Sequence, residues 1–129
     1  MAIKVTVHEH KITEMAEVGR FGNVVVSVYG KEGYIPHMHV KGPGFESCVE
    51  FNSASYFQHR AHPDKLSKKV IVDFDGFLSS APDFGPFATN WEAALYEWNR
   101  NNSEKPRLPM DLEKPDYTQL ESSKGHLEK

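Results

Sequence analysis

His37 and His39 stand two residues apart in Tyr34-Ile35-Pro36-His37-Met38-His39-Val40. On an extended strand that spacing puts both imidazoles on one face, where they could meet one ligand or one metal ion. Neutral imidazole suits zinc and other late transition metals, and a nearby carboxylate or thiolate could complete the coordination. The segment Phe45-Glu46-Ser47-Cys48-Val49-Glu50-Phe51 places Glu46, Cys48 and Glu50 on the face opposite Phe45, Val49 and Phe51. If the two segments pair, Cys48 or Glu50 comes within about 5 Å of the histidines at Cβ. The candidate metal ligands are therefore His37, His39, Cys48 and Glu50. The plainer alternative is a row of solvated histidines with ordinary backbone or carboxylate partners, and on that reading no cofactor is expected.

Other chemistry finds less support. His59 and His62 share a face only if the chain between them is helical, and Pro63 favours a loop. The lone Cys48 has no base beside it in sequence, the glycines lack phosphate-loop spacing, and Asp73 and Asp75 would not share a helical face. Arg60, Lys65, Lys68 and Lys69 form the densest basic cluster, explained either as a charged helix face or as a contact for an acidic partner.

These residues need a scaffold. A chain of 129 residues, 39% hydrophobic and 26% charged, suits one folded domain and neither a disordered acidic chain nor a membrane protein. A formal charge of −3 supplies no broad attraction to phosphate, so nucleic acid is a disfavoured partner and a local protein partner is preferred. One cysteine excludes an internal disulfide and fits a reducing compartment. No leader-like or membrane-spanning run is present, and a cytoplasmic, membrane-free protein is expected.

Strands are expected at Ile3–His10, Val24–Tyr29, His37–Val40 and Phe45–Phe51, with a looser stretch from Lys11 to Phe21. The simplest arrangement is a four-stranded antiparallel meander, one face packed through Met38, Val40, Val49 and Phe51 and the histidine face wet. Leu66, Val70, Phe74, Phe77 and Leu78 predict a helix from about Lys65 to Ser79 with Asp64 as its cap. Trp91, Ala94, Leu95 and Trp98 predict a second, opening near Thr89 or Asn90. The Pro82–Phe87 loop carries Phe84 and Phe87, and beyond 105 the chain turns polar and proline-rich. The expected fold is α+β: a compact domain over 1–104, its antiparallel sheet on two helices, and an irregular tail over 105–129 that Leu108, Met110, Leu112 and Tyr117 could pin.

Pro36-His37-Met38-His39-Val40, with Phe77-Leu78 and the Trp91–Trp98 helix, resembles a small bacterial family of uncharacterised proteins with a proline-histidine-aromatic-histidine-valine strand. The resemblance covers roughly Val24 to Asn101; Met38 stands where the family has an aromatic residue, and the Pro82–Phe87 loop looks inserted. It implies a compact α+β domain encoded beside a small partner, in a toxin–antitoxin-like, defence-related or other regulatory pair, and it brings no catalytic residues.

Two functions follow as expectations. One is a non-catalytic regulatory or protein-binding module that meets its partner through Phe84, Phe87, Arg60, Lys68 and Lys69, with a homo-oligomer also open. The other is a metal-assisted hydrolase in which His37, His39 and Glu50 or Cys48 hold the metal.

Overall fold

The computed structural model describes residues 15–30, 35–57 and 65–122. Four strands, β1 (Met15–Phe21), β2 (Val24–Tyr29), β3 (His37–Gly42) and β4 (Phe45–Glu50), form an antiparallel sheet in the order β1-β2-β3-β4. Two helices, α1 (Lys68–Ser79) and α2 (Asn90–Asn101), and a final 3-10 turn at Tyr117–Ser122 complete a small α+β domain.

Short turns set the sheet's register. Gly42 pairs with Phe45, so Pro43 and Gly44 alone connect β3 to β4. Proline fixes the first turn position, and glycine accepts the positive φ of 82° at the second. Gly22-Asn23 connects β1 to β2 in the same two-residue manner.

The first described strand arises from the stretch read as loose, while the strand expected at Ile3–His10 lies outside the described residues. The physical reason is a bulge. Glu17 pairs with Ser27 but Gly19 with Val26, so Val18 is the extra residue. Ala16 and Phe21, an odd number of positions apart, thereby both reach the core, and the sequence loses its two-residue alternation.

Met38, Val40, Val49 and Phe51 are fully buried, as the packed face requires. They meet Ile71, Phe74 and Leu78 of α1 and Trp91, Ala94, Leu95 and Trp98 of α2 in one cluster. Helix α1 begins at Lys68 rather than Lys65, because Ser67 is the residue whose hydroxyl accepts the Val70 amide, at 3.2 Å. At α2, Thr89 accepts from the Glu92 amide while the Glu92 carboxylate reaches back to the Ala88 amide, a reciprocal cap. Asn90 ties the helices together, its side-chain amide donating to the Phe77 and Ser80 carbonyls at the end of α1.

The described residues beyond 105, up to 122, pack against the body. Asn99 clamps Leu108 from both sides, donating to its carbonyl and accepting from its amide, and the Trp91 indole donates to the Leu112 carbonyl at 2.7 Å. Leu108, Tyr117 and Leu120 are buried in the common core, while Met110 stays exposed. Asp75 of α1 accepts from both Lys114 Nζ and the Tyr117 amide, and the Tyr117 hydroxyl donates to the Glu50 carbonyl.

Two outcomes test this latch. Asp75→Ala removes a charge-assisted acceptor used twice and should cost about 1.5–3 kcal/mol, read as a lower urea midpoint with earlier proteolysis after residue 105. Burial, then the nearby charges of Glu50 and Asp75, raises the Tyr117 phenol above its ordinary range, and burial also raises Tyr56. A folded-state value above the unfolded one means the contribution is whole below about pH 10 and is lost as pH climbs further, at up to about 1.4 kcal/mol per unit for each phenol. Urea midpoints measured from pH 8 to 11 should fall only above about pH 10, and Tyr117→Phe should make that fall shallower.

Candidate metal centre

The β3–β4 register assembles the site. His39 pairs with Cys48 and with Ser27 across the other edge of β3, so the three side chains share a row on the face opposite Met38 and Val40. His37 stands two residues along on the same face, with Glu50 as its register partner. His37, His39 and Cys48 are the group among the described residues that could hold a metal, their ligand atoms all within 4.8 Å of one another.

This face is not wet. His37, His39 and Cys48 are 0%, 3% and 5% exposed. Aromatic rings supply the cover: Phe57 stacks on His37 and Tyr29 packs on His39, each with centroids 4.3 Å apart, and Trp98 lies 5.6 Å from His37. Phe57 arrives because Tyr56 bridges to Val49 and the Phe57 amide donates to the Cys48 carbonyl. No local sequence pattern announces that return of the chain, so alternation alone read the polar face as solvated.

Each imidazole is oriented by a partner on Nδ1. His37 Nδ1 lies 2.8 Å from the Ile35 carbonyl oxygen, which can only accept, so Nδ1 carries the proton and in the neutral ring the lone pair is on Nε2. His39 Nδ1 lies 2.9 Å from the Glu46 carboxylate, which sets the same tautomer in the neutral ring. Imidazoles that ligate metals characteristically carry a carbonyl or carboxylate on the other nitrogen, which fixes the ring and raises its basicity. Cys48 Sγ lies beside the His39 ring, 3.6 Å from Nδ1 and 3.8 Å from Nε2. Zinc bonds of about 2.0–2.1 Å to nitrogen and 2.3 Å to sulfur set tetrahedral ligand edges at roughly 3.3–3.7 Å, so ligand atoms spread over up to 4.8 Å would have to draw together around an ion.

Of the expected ligands, Glu50 stands apart from this group: its carboxylate is 3.3 Å from the Ser53 hydroxyl. Glu46, which sequence reasoning placed on the right face without a role, is the carboxylate that meets His39. The signal for it was the Pro43-Gly44 turn, which fixes Lys41 opposite Glu46 and so makes Glu46 the diagonal neighbour of His39. Arg60, His59 and His62 lie outside the described residues. Among the expected partner contacts, Phe84 is 88% exposed, Phe87 is half-buried against Tyr96, Lys68 is exposed, and Lys69 pairs with Asp73 at 2.9 Å. The Trp98 indole N–H is buried without an acceptor among the described residues.

Long-range proton–nitrogen NMR on the metal-free protein at neutral pH should place the proton on Nδ1 of both His37 and His39. A proton on Nε2 in either ring would remove the orientation inferred for it. In the same state Cys48 should react with an aromatic disulfide reagent far more slowly than in denaturant, as its burial requires.

No family model matches this chain, and no curated protein or solved structure is significantly similar to it. The functional reading therefore rests on the site's own geometry.

Proposed function

We propose that this chain is a small, non-catalytic binding module whose sheet is braced by one late transition metal ion, zinc being the best match, held by His37 Nε2, His39 Nε2 and Cys48 Sγ. The observation that carries the reading is the paired Nδ1 commitments, to the Ile35 carbonyl and the Glu46 carboxylate, which put both lone pairs on the nitrogens a metal would use. Two imidazoles and one thiolate suit zinc; calcium and magnesium prefer all-oxygen sites. Two adjacent strands supply every ligand, so a bound ion would lock the β3–β4 pair.

Burial favours bracing over hydrolysis. A hydrolase must bring a polar substrate to an open coordination position, whereas these three ligands are at most 5% exposed beneath aromatic rings.

The test is metal content and stability together. Untagged protein purified without added metal, or reconstituted with zinc, should hold about one ion per chain, and cobalt substitution should give a sulfur-to-metal charge-transfer band that Cys48→Ser abolishes. Zinc at a thousandfold excess over its dissociation constant should add about 4 kcal/mol, or roughly 10–20 °C in the melting temperature of a domain this size. Glu46→Ala should weaken zinc by about 10- to 100-fold through loss of His39 orientation. A protein that takes up no zinc and melts at one temperature with and without it would sink the proposal.

A further inference from the structure

A groove of about 1000 Å³ runs between β1, the two helices and the 80–87 loop, and none of the three metal-site side chains lines it. Its floor is apolar. Phe21, Val70 and Phe77 sit there only partly buried, and Phe84 at its edge is 88% exposed. Gly19 lets the floor form, since a Cβ at that position would stand 2.8 Å from Phe77 Cζ. An almost fully exposed phenylalanine beside a half-covered apolar floor is the arrangement that burial by a partner would stabilise.

Charge says which partner. Among the described residues the groove is lined by four carboxylates, Glu17, Asp73, Asp83 and Glu97, against two cations, Arg20 and Lys69. Both cations are already engaged within the groove, Arg20 with Glu17 at 3.0 Å and Lys69 with Asp73 at 2.9 Å. Glu97 has the Arg100 guanidinium 3.9 Å away, so the surplus among the described residues comes down to one carboxylate, Asp83. At Asp83 a lysine or arginine side chain gains, and a phosphate or carboxylate does not.

We propose that this groove docks an amphipathic segment of a protein partner that lays an apolar side chain on Phe84 and Phe77 and presents lysine or arginine to Asp83. The mode is a short segment in a groove, with apolar anchors giving affinity and charge giving selectivity. It stands independently of the metal reading, since the two sites share no side chain.

The probes are two fluorescein-labelled peptides of one amphipathic pattern, one of leucine and lysine and one of leucine and glutamate, titrated by anisotropy against the full chain. The lysine peptide should bind, the glutamate peptide about tenfold or more weaker, and raised salt should weaken the lysine peptide. Phe84→Ser and Asp83→Lys alter exposed positions, so circular dichroism should stay unchanged while each weakens the lysine peptide by about tenfold. Arg107→Ala, at an exposed position outside the groove, should leave binding as it was. Equal binding of both peptides, no binding of either, or lysine-peptide binding indifferent to Phe84→Ser would overturn the proposal. Sedimentation showing a dimer that Phe84→Ser dissolves would give the groove to a second copy of this chain, and would overturn it too.

Discussion

The two-residue Pro43-Gly44 turn is the constraint on which the site depends. Because the side-chain period of a strand is two, a register slip of one residue between β3 and β4 would turn Cys48 away from His39 and replace it with Ser47 or Val49. A proline followed by a glycine at positive φ admits few alternatives. The same pairing fixes Glu46 diagonal to His39 and sets Cys48 opposite it, so one turn places a candidate ligand and the carboxylate that orients another.

Burying that face then determines its chemistry. Exposed imidazoles satisfy themselves with water, and their tautomers are free. Here Phe57, Tyr29 and Trp98 surround the rings, and each Nδ1 has a defined acceptor. Orientation is thus settled by the fold itself, which would lower the ordering cost for an ion held there. Glu46 keeps part of its side chain in solvent, so its charge is less costly than a fully buried carboxylate would be.

How much of this the sequence disclosed depended on whether the governing contact was local. β2, β3, β4 and α2 were legible because alternation, β-branching, short turns and a four-residue tryptophan-to-leucine spacing all act within a few residues. β1 was obscured because its bulge at Val18 breaks the period of two, and α1 was drawn three residues long because Ser67 rather than Asp64 caps it. The convergence of His37, His39 and Cys48 was legible as a condition on pairing. Their burial was not, since Phe57 reaches His37 through the Tyr56–Val49 bridge, a contact without a local pattern. The segment after 105 read as a tail for a related reason: its anchors at Leu108, Tyr117 and Leu120 are spaced by no single period, and Asn99 and Asp75, which hold it, lie on the two helices.

The C-terminal segment also bears on the site. Tyr117 donates to the carbonyl of Glu50, the residue opposite His37, and the next amide, Phe51, donates to the Pro36 carbonyl. The end of β4 is therefore gripped on one side by β3 and on the other by a phenol anchored through Asp75 to α1. These contacts fix the His37 end of the β3–β4 pair, while the Pro43-Gly44 turn fixes the other, with His39 and Cys48 between them. A strand pair pinned at both ends can hold a compact set of ligands without a metal to organise it, which is why an ion entering it would act as a brace on an existing geometry and would not have to create one.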